Sequence, residues 1–350
     1  MGIVGSLFFV AGLLAAWIAF WKAYYAVIRG SHETHWATTD DGWRVALSRY
    51  RPAPGAPKRP MPVILCPGLG ANSLSFDLSE DVSLARHLSS KGFDTWVLDL
   101  RGHGFADRVN PFLDRYADWD MDDYVDRDVP AAVELVRSVT GAPKVHWVGH
   151  SMGGLVLYSV LCRGADYIAS GIALGSSMEQ ADHPTWFKQM SRLKWALPFV
   201  PITPLGIVAA LFSPVAGRLE NPIDEFNMHF GNADPLRYRR ALACVYHGVP
   251  ASLLRQLVST LQPGGLRRSD DRAAYLDGAA KCTVSLMAVA GGRDHQAPPE
   301  SARLTLEKFT GAKERKYELL PDYGHFDLLI GKTAAQDVFA KVEEWLARQG

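Results

Sequence analysis

Residues 145 to 158 constrain this chain more than any others. The apolar run Val145-His146-Trp147-Val148 leads into Gly149-His150-Ser151-Met152-Gly153, and the helical pattern Gly154-Leu155-Val156-Leu157-Tyr158 follows at once. A strand that becomes a helix with no intervening loop forces the corner residue into a strained backbone conformation, and only small neighbours let strand and helix pass so closely. The sequence therefore predicts a strand, a sharp turn and a helix, with Ser151 exposed at the corner as a nucleophile. Gly-x-Ser-x-Gly pentapeptides also occur by chance, so the strand-to-helix setting carries the reading.

A serine hydroxyl needs a base to activate it and an acid to orient that base. Both follow downstream. The run Thr283 to Ala290 reads as a buried strand ending in Gly291-Gly292-Arg293-Asp294, which sets Asp294 at a strand's carboxyl end, where sites in open α/β sheets collect. A further strand, Arg315 to Leu320, leads into the turn Pro321-Asp322-Tyr323-Gly324-His325. Asp294 is the expected acid and His325 the expected base; the competing readings are a helix cap for Asp294 and a loop filler for His325. His103, in an Arg-Gly-His-Gly turn, and His150, at the variable corner position, are rival bases for which structural or pocket-lining roles are expected.

The remaining pattern alternates strand and helix. Trp43 to Tyr50 alternates like a strand, a proline-rich turn from Pro52 to Pro62 precedes the next one, and Ser31 to Asp41 reads as a polar connection. Helices are expected at Val82 to Ser90, at Met121 to Val139 and around Val338, Phe339, Val342, Trp345 and Leu346. This order argues an α/β fold with a mostly parallel sheet flanked by helices on both faces. Residues 181–280, after the strand Ile168 to Gly175, exceed what such a sheet requires and read as a helical cap. Their aromatic and apolar residues, Trp186, Phe187, Trp195, Phe199, Phe212, Phe226, Met228, Phe230 and Tyr246, fit either a substrate wall or the cap's own core.

With these segments in place, the chain from about residue 43 to residue 350 resembles the α/β-hydrolase superfamily, and within it the serine lipase and esterase branch. Beyond the Ser151 turn, the resemblance rests on Pro62-Val63-Ile64-Leu65-Cys66-Pro67-Gly68-Leu69-Gly70, on Gly92 to Gly104, and on Gly324-His325-Phe326-Asp327-Leu328-Leu329. The first and last of these are most similar to acid lipases. The resemblance implies an oxyanion hole formed by the amides of Leu69 and Met152. It also implies a His-Gly pair after the third strand, where this chain has Pro67 instead of histidine. Some members place the acid after the sixth strand, which makes Asp182 the second candidate. The implied reaction is acyl transfer to water through an acyl-enzyme, on small-molecule esters or lipids, with no cofactor and no metal.

Composition limits the alternatives. Lys and Arg number 37 and Asp and Glu 37, so no electrostatic footprint for nucleic acid exists. Cys66, Cys162, Cys244 and Cys282 lack Cys-x-x-Cys spacing and read as buried thiols. An aspartate nucleophile, as dehalogenases and epoxide hydrolases require, is excluded by Ser151, and the cysteine of polyester synthases is absent from that position. Acyl transfer to another acceptor, or silent ligand binding on the same scaffold, remain as alternative functions.

The amino terminus is the second informative segment. Ile3 to Trp21 is uncharged and nearly all apolar, long enough to span a bilayer, with Trp17, Trp21, Tyr24 and Tyr25 suited to an interface. No Lys or Arg precedes the apolar run and no small-residue cleavage pattern follows, which favours an uncleaved single-pass anchor over a signal peptide, with a surface or self-packed helix as a third reading. Lys22 and Arg29 after the span place the catalytic body in the cytoplasm. Trp195 to Gly217 is also uncharged but carries Pro198, Pro201, Pro204 and Pro214. A second crossing would separate Ser151 from Asp294, so this stretch reads as a lid helix or a lipid-dipping surface with Leu197, Phe199, Ile202, Leu205, Ile207, Val208, Leu211 and Phe212 exposed or half exposed, ordinary cap packing being the competing reading. The expected organisation is an anchor over residues 1–29, a core over 30–180 and 281–350, and the cap over 181–280.

Overall fold

A computed structural model describes residues 2–180 and 201–350. Asp182, Trp186, Phe187, Trp195, Leu197 and Phe199 lie outside the described residues. The strands β1 (Glu33–Thr38), β2 (Arg44–Tyr50), β3 (Val63–Cys66), β4 (Thr95–Asp99), β5 (Val145–His150), β6 (Ile168–Leu174), β7 (Ser285–Gly291) and β8 (Arg315–Leu320) form one sheet in the order β1-β2-β4-β3-β5-β6-β7-β8. β2 runs antiparallel to β1 and β4, and every pairing from β4 to β8 is parallel.

The central strands are near-continuous apolar runs because both faces are covered. β3, β4, β5 and β7 are buried at every position. Their side chains alternate between two cores: Ile64, Cys66, Trp96, Leu98 and Trp147 enter one, and Val63, Leu65, Val97 and Val148 the other. Helices α3 (Val129–Thr140), α4 (Met152–Cys162) and α9 (Pro299–Lys308) contribute to the first core, and α2 (Leu84–Ser90) and α10 (Ala340–Gln349) to the second. This is the expected sandwich of helices about a sheet.

Two local readings change. The segment taken as a polar connection contains β1, an edge strand paired with β2 from Glu33↔Arg49 to Thr38↔Arg44. Its polar Glu-Thr-His-Trp-Ala-Thr sequence hides it, since an edge strand with only Ala37 buried needs little apolar pattern. The helix expected from Met121 carries a π-type turn at Tyr124–Asp128, where the Val129 N–H bonds the Tyr124 carbonyl, just ahead of Pro130. Proline has no N–H for the ordinary bond, so the break in pattern falls there. The cysteines are unpaired, Cys66 and Cys282 buried as expected but Cys162 and Cys244 only half-buried.

Between β6 and β7 the described residues form helices α5 (Leu205–Phe212), α6 (Pro222–Asn227), α7 (Pro235–Cys244) and α8 (Ala251–Leu257), with a two-residue ribbon pairing Ile202–Thr203 with Val249–Pro250. Asn221 and Asp234 accept bonds from the free N–H groups at the starts of α6 and α7, each followed by proline at the first position. The amino-terminal helix α1 (Ile3–Tyr24) is long and apolar enough to cross a membrane, and none of its apolar window is buried. Among the described residues, the carboxyl-terminal part of this segment meets the body: the Trp17 indole N–H donates to the Leu211 carbonyl at 3.1 Å, and Tyr25, 4 % exposed, is seated beside α7, where the Cys244 thiol meets its carbonyl. Ile207, Val208 and Phe212 of α5 are exposed, and Ile202, Leu205 and Leu211 are half-buried.

Candidate active site

Parallel strands in register bring their carboxyl ends to one edge. Cys66 pairs with Gly149, His150 with Leu174, and Leu320 with Gly291, so the turns that follow β3, β5, β6, β7 and β8 converge there. Ser151, Asp294 and His325 all lie on these turns.

Ser151 sits at φ 53°, ψ −119°, a left-handed conformation strained for any residue with a side chain. The close approach that requires it is measurable at the flanking glycines. A Cβ on Gly149 would lie 2.1 Å from the Gly153 carbonyl oxygen, and one on Gly153 would lie 2.1 Å from the Cys66 carbonyl oxygen. Strand β5, helix α4 and the end of β3 are in backbone contact, and no residue with a side chain fits between them. The Ser151 N–H donates to the Leu174 carbonyl at 2.8 Å, which ties the corner to the neighbouring strand.

His325 is buried, and its Nδ1 lies 2.7 Å from Asp294 Oδ2. The other carboxylate oxygen of Asp294 accepts N–H bonds from Gln296 and Ala297, each at 2.8 Å. Asp294 does not cap the helix that follows, since α9 starts at Pro299 with Pro298 before it and no side-chain cap; one of its oxygens holds the turn leading to that helix, and the other faces His325. Asp327 braces the histidine turn from behind: its carboxylate accepts from the Gly324 N–H at 2.9 Å and the Asn232 amide at 3.1 Å. Burial raises the Asp327 carboxyl to about 6, with the Gly324 N–H acting against it. Gly175 follows β6 at φ 55°, and a Cβ there would stand 3.1 Å from Asp294 Oδ2 and 3.3 Å from His325 Nδ1.

Ser151 and His325 line one cavity of about 530 Å³, together with Leu69, Val208, Phe212, Ile223, Tyr246 and Phe326 among others. The lining is overwhelmingly apolar. Leu69, on the turn after β3, lies at this cavity with Ser151, and Gly68 beside it is packed so tightly that a Cβ would touch the Ser151 Cβ at 3.0 Å. Met152 is the first residue of α4, where an N–H has no partner within the helix and the helix end carries partial positive charge. Pro67 holds the place of the histidine that the acid lipases' pattern would have.

The rival histidines are elsewhere engaged. His150 is buried with Nε2 3.1 Å from the His325 carbonyl, and burial, then the neighbouring His325, pulls it down to about 3. It lines the cavity as a neutral ring. His103 is pulled down to about 4 by burial and lies against His247 with ring centroids 5.8 Å apart, not on the cavity. Sequence reasoning missed Gly175, Asp327 and Gln296. Gln296 bridges the acid turn to α6, its amide donating to the Phe226 carbonyl at 3.1 Å, and no local pattern announces such a contact. Asp327, two residues past His325, was visible only as part of the Gly-His-Phe-Asp stretch.

The profile of the alpha/beta hydrolase fold matches residues 61–332. The chain is 33% identical to Lipase 1 of Drosophila melanogaster over 43% of its own length and 36% of that protein, so this match spans about a third of the relative. It is 22% identical to mouse Lipase member N over 89% of this chain and 86% of that one. An esterase of Exiguobacterium antarcticum superposes with a TM-score of 0.62 at 16% identity, covering 89% of this chain and 98% of the esterase.

Proposed function

The chain belongs to the alpha/beta hydrolase fold family, and from that premise we propose that it is a serine carboxylic-ester hydrolase of the lipase and esterase type. The observation that carries the reading is the pairing of His325 with Asp294 at 2.7 Å behind a cavity that His325 and Ser151 share. In the proposed cycle His325 takes the Ser151 proton through Nε2, and Ser151 Oγ attacks the ester carbonyl. The tetrahedral oxyanion is held by the Leu69 and Met152 amides, each donor being worth about 2.7–4 kcal/mol in the transition state. His325 passes the proton to the leaving alkoxide, and Asp294 orients the ring and stabilises the imidazolium. Water then repeats the sequence on the acyl-enzyme.

The cavity speaks for a lipophilic acyl group. Val208, Phe212, Val215 and Ile223 both line it and are exposed to the outside, so its mouth is itself apolar. We read α5 to α8 as the lid portion of a cap, and α1 as a single-pass membrane anchor that presents this mouth to a lipid surface, the catalytic body facing the cytoplasm. Residues 1–29, 30–180, 181–280 and 281–350 are the corresponding anchor, first core part, cap and second core part.

Hydrolysis of p-nitrophenyl esters from short to long acyl chains, by the parent chain and by Ser151→Ala, tests the reading. Turnover that vanishes in the variant supports it. Turnover retained by a folded Ser151→Ala refutes it, and acyl transfer to an added alcohol in place of water would make the chain an acyltransferase.

A further inference from the structure

The turn that carries Leu69 is held from two sides. On one side it is pinned to the segment around α7: the Asn72 N–H donates to the Val245 carbonyl at 3.1 Å, the Asn72 amide to the Cys244 carbonyl at 3.0 Å, and the His247 N–H to the Gly70 carbonyl at 2.7 Å. On the other side, at Ser73, it meets the fully buried Asp99 at the end of β4. The Ser73 N–H donates to Asp99 Oδ1 at 2.6 Å and the Ser73 hydroxyl to Asp99 Oδ2 at 3.1 Å.

A third element reaches the same point from the amino-terminal segment. The Arg29 guanidinium donates to the Ser73 hydroxyl oxygen at 2.5 Å and lies 4.0 Å over the ring of Phe105, a residue whose backbone N–H donates to Asp99 Oδ2 at 3.0 Å. Arg29 is itself fixed. Tyr25 is buried beside Cys244, and the Gly30 N–H donates to Asp77 at 2.8 Å. The run from Tyr25 to Gly30 is therefore a fastened arm whose one cationic side chain ends on the turn. Burial pushes the Asp99 carboxyl up and the Arg29 charge pulls it back, so the arginine helps keep Asp99 an acceptor for Ser73.

We propose that Arg29 is a positioning residue: through Ser73 and Asp99 it fixes where the Leu69 turn lies against Ser151, and so makes turnover depend on the arm that follows the apolar helix. This rests on the hydrolase reading above. The turn has no slack on its inner side, since a Cβ at Gly68 would touch the Ser151 Cβ at 3.0 Å. A small outward shift of Ser73 would carry the Leu69 amide away from the oxyanion while leaving the acyl cavity intact.

The test uses the full chain in detergent micelles with p-nitrophenyl butyrate, comparing Arg29→Ala, Arg29→Lys, Ser73→Ala and the double variant Arg29→Ala/Ser73→Ala. Arg29→Ala is expected to lower kcat about tenfold with KM within about twofold, as misplacement of a transition-state donor requires. Lysine should restore kcat to within about threefold, and the double variant should fall no further than its poorer single, because both changes break one linkage. Inactivation by a p-nitrophenyl alkylphosphonate should slow in parallel. An unchanged kcat in Arg29→Ala, a loss confined to KM, failure of lysine to restore turnover, or additive losses would each overturn the proposal. If Arg29→Ala does not fold, Ser73→Ala carries the same kcat expectation. A Ser151→Ala chain that still turns over would instead refute the nucleophile, independently of the arm.

Discussion

Replacement of Gly153 by alanine puts the Ser151 corner to a quantitative test. The new Cβ would stand 2.1 Å from the Cys66 carbonyl oxygen, 2.7 Å from the Cys66 carbonyl carbon and 2.7 Å from the Pro67 carbonyl oxygen, all backbone atoms that no rotamer change can move. Relief requires roughly 1 Å of separation between α4 and the end of β3, and a displacement of that size at a reacting centre costs about 10²-fold in rate. That is about 2.7 kcal/mol of transition-state stabilisation. The same separation opens the packing of the two cores at their junction, which costs about 1–3 kcal/mol of stability. Urea unfolding and p-nitrophenyl ester kinetics on the same preparation read both. The expected result is a kcat/KM about 10²-fold lower in a folded but less stable chain, with Gly12→Ala, whose added Cβ meets nothing within 4 Å, as the unaffected control. Full activity and full stability in Gly153→Ala would refute the argument that backbone contact at this corner sets the geometry.

Three other outcomes follow from the surroundings of Asp294, Asp128 and His146. Asp294→Asn should keep its turn, since an amide oxygen still accepts from Gln296 and Ala297, but its NH₂ then faces His325 Nδ1 and stabilises the wrong tautomer; kcat should fall by about 10³–10⁴ with KM little changed in steady-state assays. Asp128→Ala takes from Arg101, which is 1 % exposed, the carboxylate on its buried face and leaves it Asp41 at 2.7 Å and Asp123 at 4.0 Å; about 3–5 kcal/mol of stability should be lost in denaturant melts, and a loss below about 1 kcal/mol would show the pair to be dispensable. His146 is buried and pulled down to about 4, below the ordinary value of 6.5, so between these pH values the unfolded chain binds a proton that the folded chain does not. Its contribution is present above pH 6.5 and lost as pH falls toward 4, and His146→Gln should flatten the acid slope of stability by about 1.4 kcal/mol per pH unit, as unfolding at a series of pH values would reveal.

What the sequence determined by itself is local. The run from Val145 to Tyr158 specifies strand, corner and helix because the glycines flanking Ser151 leave backbone contact as the only packing available. The apolar runs of β3, β4, β5 and β7 specify strands buried on both faces, and Gly-Gly-x-Asp and Gly-His mark strand ends where turns must follow. Ile3 to Trp21 declares a long apolar helix by composition alone. Each of these depends on neighbours within a few positions. Only the tertiary structure decided the rest, because it depends on registers between distant segments. The pairing of Cys66 with Gly149 sets the Leu69 turn beside Ser151, and that of Leu320 with Gly291 brings Asp294 within 2.7 Å of His325. β1 escaped notice because an edge strand is held by its partner's hydrogen bonds rather than by apolar periodicity. Gly175 and Gln296 carried no signal of their own, and Asp327 and Arg29 none for the contacts they make with Asn232 and Ser73, since such contacts between distant parts of the chain exist only once the sheet has set both ends in position.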